Sequence, residues 1–347
     1  MVALWDTTGT EVVKRLTEER RTAGGVTSGL ALTLIVVTDE KRVAEAEAAA
    51  TIAAQQHPTR VLIVVRRNVL DQQSRLDAEI VVGGRLGPCE AVVMRMHGRL
   101  ALHAESVALP LLAPDVPVVT WWHGEPPERI AYDPLGVVAD RRVTDVACAA
   151  DPVAALRQRA EDYAPGDTDL AWARITGWRT LIAGAFDTVG PPRSAKITAS
   201  DTDPGGMLLA GWITARLGVK PRMISDGNRL RKVEFSLGDG VRMSLTRTGG
   251  TAVLRRTGFP ERTLPLLDRA LGEELAEELR RLDPDEVYAA ALAAAFGVED
   301  LSSRPARRQH IWQDPALAER PEEAVGADLL RPPGTTTDQR AWSEEAR

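Results

Sequence analysis

The stretch Leu30–Arg66, LALTLIVVTDEKRVAEAEAAATIAAQQHPTRVLIVVR, decides the fold class of this chain. It begins and ends with short apolar runs rich in β-branched residues, Leu30–Thr38 and Arg60–Arg66, which are typical of strands buried on both faces. Between them, the alanine-rich segment Val43–Gln56 predicts a helix that Pro58 ends. A strand, a helix and a second strand in this order predict a βαβ unit and therefore a parallel sheet.

The same alternation continues to about residue 165. It predicts a Rossmann-like three-layer α/β domain over residues 30–165, preceded by an amphipathic helix and a linker over residues 1–29. Gly83, Gly84 and Gly87 mark turns within this domain. The further predicted elements are short strands at Ile80–Val82, Val92–Met96, Gly136–Ala139 and Thr144–Ala147, and helices at Ala101–Leu112 and Pro152–Tyr163.

Residues 166–300 predict a second domain, of the α+β class. Three alternating runs joined by glycine-containing turns, Lys232–Leu237, Val241–Thr246 and Thr251–Arg255, predict an antiparallel meander. The other predicted elements are a strand at Ser194–Ala199 and helices at Asp169–Asp187, Met207–Leu217, Glu261–Arg281 and Pro284–Phe296, the last of which Gly297 ends. Residues 301–347 contain few large apolar residues and predict a flexible tail.

A second informative stretch, Leu109–Pro127 (LPLLAPDVPVVTWWHGEPP), places two tryptophans and a histidine where a predicted strand ends at Gly124. The carboxyl ends of strands are where open α/β sheets bind ligands and partners. We therefore take Trp121, Trp122 and His123 as candidate partner-binding residues. Because adjacent strand residues point to opposite faces, the alternative that both indoles only fill the core stays open.

The predicted helix Asp169–Asp187 carries the second set of candidate contacts. Arg174 and Arg179 flank its apolar stripe, and with Trp172 they are candidate partner-binding residues. At helical spacing, the stripe itself is formed by Ala171, Ile175, Trp178, Ile182 and Ala185.

The ends of this helix, and the helix that follows, carry further expectations. Asp169 suits the positive amino-terminal end of a helix, whereas Asp187 at the negative end needs a partner, for which we expect an arginine. Trp212 is expected to pack its helix on the meander, with Arg216 one turn later on the same face.

Composition limits the classes of function. A length of 347 residues with 44% hydrophobic and 27% charged residues predicts a globular protein of about two domains. A net charge of -6 without a long basic run argues against a nucleic-acid partner. The chain has neither an apolar run near the roughly 20 residues of a membrane span nor a signal peptide at its start, so we expect a cytoplasmic protein without a membrane contact.

Motifs of nucleotide binding and catalysis are missing from the sequence. The turn after the first strand of the βαβ unit, at Thr38–Lys41, has no glycine and carries two carboxylates that would repel phosphate. Neither a P-loop, nor a G-x-S-x-G elbow, nor an H-E-x-x-H pair occurs. We therefore predict no catalytic residue, cofactor or metal, and interpret His123 as a hydrogen bonder rather than an acid or base.

Three segments together, Leu109–Pro127, Asp169–Asp187 and Leu208–Gly218, resemble the actinobacterial OpcA family of glucose-6-phosphate dehydrogenase assembly proteins. The resemblance runs from about residue 30 to residue 296, and Trp121-Trp122 is among its most specific parts. It implies a non-catalytic partner that binds glucose-6-phosphate dehydrogenase, favours its active oligomer and supports NADPH production by the oxidative pentose phosphate pathway. The family's structural signature falls on Gly124, Asp169, Trp178, Asp187, Trp212 and Arg216.

Two alternatives stay open beside this expectation. One is a sugar-phosphate or nucleotide-binding enzyme or sensor that uses the strand ends of the α/β domain. The other is a scaffold that uses the tail for other partners. Cys89 and Cys148 lie far apart in the sequence. In a cytoplasmic protein we expect them to be two unrelated thiols rather than a disulfide or a redox switch. The resemblance implies redox control only in cyanobacterial relatives, and we do not expect it here.

Overall fold

The computed structural model describes residues 1–22, 29–55, 58–83, 89–238 and 240–306. Its strands are β1 (Val2–Leu4), β2 (Leu32–Thr38), β3 (Thr59–Arg66), β4 (Arg75–Val82), β5 (Glu90–His97), β6 (Val118–His123), β7 (Arg141–Thr144), β8 (Asp167–Asp169), β9 (Ser194–Ala199), β10 (Arg222–Ser225), β11 (Lys232–Ser236), β12 (Arg242–Thr248), β13 (Thr251–Arg256) and β14 (Phe259–Pro265). Its helices are α1 (Gly9–Thr22), α2 (Val43–Ala54), α3 (Ala104–Ala108), α4 (Pro134–Val137), α5 (Pro152–Asp162), α6 (Leu170–Arg174), α7 (Thr176–Phe186), α8 (Pro204–Leu217), α9 (Leu271–Leu279) and α10 (Glu286–Phe296).

Sheet A contains the predicted βαβ unit and confirms the Rossmann-like α/β class. Among the described strands its order is β1-β4-β5-β3-β2-β6-β7-β8, and from β5 to β8 in this order all neighbours run parallel. Numbered along the chain, these parallel strands follow 3-2-1-4-5-6, the order of dinucleotide-binding folds. The order reverses between β2 and β6, so the ligand crevice of such folds would lie at the carboxyl ends of these two strands.

Helices cover both faces of sheet A. Ile35 of β2 packs in an apolar cluster with α1 and α3, whereas its neighbour Leu34 packs in a cluster with α2 and α9. Helix α9 belongs to the second half of the chain, yet it lies directly on α2: a Cβ added to Gly272 would be 2.6 Å from the Cβ of Ile52. The core of sheet A is therefore completed by residues far along the sequence.

Sheet B confirms the predicted meander and extends it at both edges. In the described part of the chain its order is β10-β9-β11-β12-β13-β14, with β10 and β9 parallel and the other neighbours antiparallel. Val233 and Phe235 are buried, whereas Lys232 and Glu234 between them are partly exposed. This alternation is typical of a sheet with one packed and one solvated face.

The predicted helix Asp169–Asp187 is wrong in one respect, because it is two helices. Asp169 ends β8 and caps α6 by accepting a hydrogen bond from the Ala171 amide at 2.9 Å. The helix then breaks at Ile175, whose φ of -92° and ψ of 4° leave the helical range. A β-branched pair followed by Gly177 has low helix propensity, which explains the break.

Other boundaries also differ from expectation. The predicted helix Glu261–Arg281 begins only at Leu271, because residues 259–265 pair with β13 as an edge strand, where prolines are tolerated. The predicted strand Gly136–Ala139 is instead part of α4, which Asp133 caps and Pro134 begins. The first residues form β1, which pairs with β4, before α1 begins at Gly9.

Some predicted segments fall outside the described residues. They are the turns at Gly84 and Gly87, most of the linker before residue 30 and the tail beyond residue 306. Gly83, which is described, follows β4 with a φ of 65°. The described residues belong to one compact unit. The division into domains near residue 165 stays a prediction.

Candidate functional site

The Trp121-Trp122 pair lies inside the protein, on opposite faces of sheet A. Trp121 is 0% exposed and belongs to the cluster with α2 and α9, and Trp122 is 1% exposed and belongs to the cluster with α1 and α3. The alternation along β6 thus buries both indoles, as in the alternative left open by the sequence. Neither indole lies on the surface, and a role in partner binding stays a prediction for both.

His123 is buried at the carboxyl end of β6 and does not face solvent. It is 3% exposed, and its Nε2 lies 3.1 Å from Oε2 of Glu45 on α2. Gly124 follows with a φ of 129°, and its backbone lies so close to Arg42 that a Cβ there would overlap the guanidinium. Arg42 and Glu45, at the start of α2, therefore lie against the carboxyl end of β6.

Charged groups at the carboxyl ends of β7 and β8 link sheet A to helix α9. Arg174 on α6 makes two hydrogen bonds to Asp145, at 2.6 and 2.7 Å, and a third to Glu274 on α9 at 3.0 Å. Although burial opposes its charge, these carboxylates raise the pKa of Arg174 above its usual value. One guanidinium thus donates hydrogen bonds to two buried carboxylates, which fits the forked geometry of arginine.

Asp169 is the fully buried carboxyl of this region. It accepts hydrogen bonds from the Thr144 hydroxyl at 2.6 Å and from the amides of Val146 and Ala171 at 2.9 Å each. Burial and the nearby Asp145 carboxylate raise its pKa to about 7. The N-cap role expected from the sequence is confirmed, and the carboxyl is held where it titrates near neutral pH.

Trp172 and Arg179 form a buried stack. The Arg179 guanidinium lies 3.5 Å from the centre of the Trp172 ring, and the indole Nε1 donates to Asp285 at 2.9 Å. Burial lowers the pKa of Arg179 to about 10. Trp172 is 1% exposed, so the structure gives this pair a packing role, and their role as partner contacts stays a prediction.

Several buried polar partners were not expected from the sequence. Arg141 donates to Glu278 at 2.6 Å, and the Thr168 hydroxyl donates to the same carboxylate at 2.9 Å. Asp285 also caps α10. Only this cap had a local signal, an aspartate directly before an alanine-rich run; the partner of Arg141 lies 137 residues away in the sequence.

The remaining signature residues are dispersed. Asp187 is exposed and, within the described chain, forms no ion pair, so the expected arginine partner is wrong; an exposed carboxylate needs no buried partner. Trp212 packs in the cluster that includes the meander, as expected. Arg216, in contrast, is exposed, so the expected packing on the same face as Trp212 is wrong for Arg216.

The two cysteines are free thiols in different surroundings. Cys89 is buried, and its thiol donates to the Ala54 carbonyl at 3.3 Å. Cys148 is exposed, and desolvation together with the Asp145 carboxylate raises its pKa to about 11. A thiol with this pKa is protonated at neutral pH and is a poor nucleophile.

A cavity of about 760 Å³ lies between the strand ends of sheet A and sheet B. Of the predicted site residues, Arg174 and Trp178 line it. Its charged side chains come from α6, the loops around sheet B and α9. They are Arg174, Arg229, Arg247, Arg269 and Arg280, and Asp203, Asp268, Glu273, Glu274 and Glu277.

In the described ranges, His, Cys, Asp and Glu side chains form no group of three that could hold a metal ion. None of the helices described here combines the length and the apolar character needed to cross a membrane.

Two family models match this chain. A family model described as the glucose-6-phosphate dehydrogenase subunit N-terminal domain matches residues 50–161, and one described as the C-terminal domain of the same subunit matches residues 165–292. Both models bear the name OpcA. The chain belongs to the OpcA family. The two matches together span more than half of the chain, which confirms the resemblance drawn from the sequence.

The chain is also similar to a cyanobacterial protein. A Synechococcus elongatus protein named as an OxPP cycle protein OpcA is 30% identical over 167 residues. The match covers 44% of this chain and 37% of that protein, so this OpcA-family chain aligns with little more than a third of its cyanobacterial relative. No solved structure matches the chain.

Proposed function

We propose that this protein is a cytoplasmic, non-catalytic assembly factor that binds glucose-6-phosphate dehydrogenase and favours its active oligomer, supporting NADPH production by the oxidative pentose phosphate pathway. The proposal is carried by the consecutive matches to the two subunit domains, over residues 50–161 and 165–292. The name of the Synechococcus relative, which refers to the OxPP cycle, supports the same pathway.

The geometry of the strand-end crevice supports a non-catalytic role. A dinucleotide would need free amides at the start of α2. Here the Asp39 carboxylate accepts from the amides of Lys41 and Arg42, at 2.9 and 3.2 Å. The guanidinium of Arg42 lies against Gly124 and so occupies space beside the carboxyl end of β6.

Activation by such a factor needs only differential affinity. A protein that binds the active assembly more tightly than the inactive one shifts the population toward the active form. A tenfold shift corresponds to about 1.4 kcal/mol. The buried ion pairs between the halves favour a preformed binding surface, which loses little conformational entropy on association.

A surface tryptophan offers a contact that can be tested without damaging the core. Trp5 follows the edge strand β1 and is 66% exposed, unlike Trp121 and Trp122. Tryptophan is enriched among residues that dominate binding energy at interfaces. We propose Trp5 as a contact residue for the dehydrogenase.

The decisive experiment uses purified dehydrogenase from the same organism. Its activity and particle mass are measured with increasing amounts of the full chain, by coupled assay and light scattering. We expect a saturable gain in rate together with a larger particle. Absence of both across salt and substrate conditions would remove the assembly role.

Variants separate the contact from the fold. Trp5→Ala is expected to weaken complex formation at least tenfold, whereas the control Lys220→Ala, at an exposed position of the second half, leaves it unchanged. Both variants should unfold at the wild-type temperature. Wild-type affinity of Trp5→Ala would refute the contact while leaving the assembly role intact.

A second candidate, a sugar-phosphate or nucleotide sensor, is favoured by one observation. The cavity of about 760 Å³ lies beside the strand ends and is lined by arginines. Its volume is typical of small-molecule sites. A sensor and an assembly factor are compatible in one protein.

A further inference from the structure

We propose that β10, the edge strand of sheet B, binds an extended acidic segment of a partner protein as a further strand of the sheet. The segment would hydrogen-bond to the backbone of residues 222–225 and place a carboxylate beside Arg222. This binding does not rest on the proposed function, and it can be measured on the protein alone.

β10 lies at an open edge of sheet B. Among the described strands β9 is its only neighbour, and every residue of Arg222–Ser225 is exposed. The two apolar residues, Met223 and Ile224, are each 36% exposed. An exposed edge strand presents unpaired backbone groups to other chains.

The backbone groups available at this edge follow from the hydrogen bond of Asp226. Its amide donates to the carbonyl of Ala199, at the end of β9, at 3.1 Å. Successive peptide groups of a strand point to opposite sides, so the amides and carbonyls of Met223 and Ser225 point away from β9. In the described part of the chain, the backbone of neither residue hydrogen-bonds to a segment outside sheet B. These donors and acceptors are therefore free to pair with an added strand.

The other sheet edges are protected in ways that β10 is not. β14, at the opposite edge of sheet B, contains Pro260 and Pro265, which have no amide hydrogen to donate. In sheet A, the edge strand β8 is buried and the edge strand β1 has only three residues. β10 contains no proline, and its register with β9 is regular. Its one charged residue, Arg222, repels basic strands but attracts acidic ones.

The charge of the outer face of sheet B, which is its solvated face, defines the chemistry of the partner. The register places Arg222 directly beside Lys196, and Lys196 beside Glu234. Glu234 is engaged by Lys232 at 2.8 Å. On the outer face of β10, β9 and β11, these are the charged side chains, and only one of them is acidic. Arg222 and Lys196 form no ion pair within the described residues.

The acidic groups that follow these strands lie at the other end of β10. Asp226 follows β10 and is paired with Arg231 at 3.0 Å. Asp201 and Asp203 follow β9, and Asp203 caps α8. Lys220, in contrast, is exposed just before β10. The amino-terminal end of the strand therefore keeps an excess of positive charge, which suits a carboxylate.

The alternation of β10 defines which side chains an added strand should carry. Arg222 and Ile224 lie on the outer face, whereas Met223 lies on the inner face, where a Cβ added to Gly206 of α8 would be 3.7 Å from its Cε. An added strand would place an acidic residue beside Arg222 and apolar residues beside Met223 and Ile224. In strand addition, main-chain hydrogen bonds give affinity and alternate side chains give specificity. The expected partner segment is thus extended, with an acidic residue next to two apolar ones.

Fluorescence anisotropy of a labelled peptide with the full chain tests the proposal. The probe is the capped peptide Thr-Glu-Val-Ile-Glu-Val-Thr. One control peptide has Lys in place of Glu, and another carries N-methyl groups on two successive central amides, one on each edge of the strand. We expect both controls to bind at least tenfold more weakly, because the first loses the carboxylates and the second loses main-chain hydrogen bonds. Equal binding of the N-methylated peptide, or no binding of the acidic one, would overturn the proposal.

Variants place the peptide at β10. Arg222→Glu should weaken binding of the acidic peptide at least tenfold, whereas Arg262→Glu, an exposed charge reversal on β14, should bind as the wild type does. Ser225→Pro removes an amide that points away from β9, so it should block strand addition while sheet B keeps its own hydrogen bonds. Wild-type affinity of Arg222→Glu would refute the site.

Hydrogen exchange of the wild-type chain gives a readout that does not depend on any variant. The acidic peptide should slow exchange of the Met223 and Ser225 amides, because these are the groups that pair with it. Unchanged exchange at saturating peptide would refute strand addition, also if Ser225→Pro fails to fold.

The other possible occupants of this edge give different results. A dimer of the full chain that forms without peptide and is lost in Ser225→Pro would assign the edge to a second copy of this chain instead. Displacement of the peptide by heparin, together with equal binding of the N-methylated peptide, would mean a general attraction of polyanions. The dehydrogenase is absent from these assays, so a failure of this inference leaves the proposed function standing.

Discussion

Sheet A and sheet B differ in how many of their faces are covered by other elements. Sheet A is covered by helices on both faces, and Glu45 of α2 contacts His123 at the carboxyl end of β6. Sheet B packs one face on the core and leaves the other polar. A Rossmann-like strand order therefore does not by itself provide a ligand site. In this protein the cavity lies between the two sheets instead.

The largest expected effect tests how far sheet A depends on its strand-end tryptophans. Replacement of either Trp121 or Trp122 by Ala should cost about 3–5 kcal/mol of unfolding free energy, because each leaves a large cavity. The double variant should lose most of the marginal stability of a native protein. Urea denaturation of the single variants measures the cost.

Trp5→Phe is the matched control, because Trp5 is 66% exposed and its loss leaves no buried cavity. Single core variants with wild-type stability would show that these indoles are not the packing residues that their burial indicates.

A somewhat smaller effect is expected where sheet A joins the second half. Arg174→Ala leaves Asp145 and Glu274 without their shared guanidinium, with their side chains 3% and 7% exposed. Removal of one partner from a buried ion pair is strongly destabilising, and the partial exposure of Arg174 places the loss at about 3 kcal/mol. The loss is read from the urea midpoint at constant slope, and Arg269→Ala, whose pair is longer and more exposed, should lose far less.

The buried carboxyl of Asp169 predicts a pH dependence. Its pKa is raised from 3.8 to about 7, so between these values the folded protein binds more protons than the unfolded chain. The free energy of unfolding should therefore fall as the pH rises from about 4 to about 7, by at most about 1.4 kcal/mol per pH unit from this group.

Asp169→Asn removes this contribution and should flatten the pH profile of stability relative to the wild type. Asp187→Asn, at an exposed carboxyl, should keep the wild-type profile. Parallel profiles for Asp169→Asn and the wild type would contradict the assignment.

The smallest effect is expected on the solvated face of sheet B. Arg255 and Glu261 form an exposed ion pair at 2.5 Å, and such pairs contribute little to stability. Arg255→Gln should unfold within error of the wild type in urea. A clear loss of stability would mean that this face is covered in solution, which would weaken the contrast between the sheets.

The sequence predicted those strands and helices whose burial pattern is visible in their own residues. The β-branched runs of β2 and β3 and the alternation of β11 to β13 carry their burial in their own composition. The break at Ile175 was missed because Asp169, Trp172 and Trp178 keep a helical spacing across it.

The candidate site was less predictable, for a physical reason. The alternation along β6 placed Trp121 and Trp122 on opposite faces, but whether each face is covered depends on helices elsewhere in the chain, α9 among them. Likewise, the cavity combines Arg174 with Arg229 and Asp268, which no local pattern links. Pairing between distant segments is decided by the packed fold.

The close contact at Gly272 bears on how this protein could have arisen and how it can be divided. A Cβ there would lie 2.6 Å from Ile52 and 2.9 Å from the Ala49 carbonyl, so even one methyl group would separate α9 from α2. A fragment that ends near residue 165 would expose the alanine face of α2 to water, and would also lack β8. The two regions matched by separate family models would thus be poor candidates for independent expression. Because each covers the core of the other, we expect the two regions to stay together in one chain.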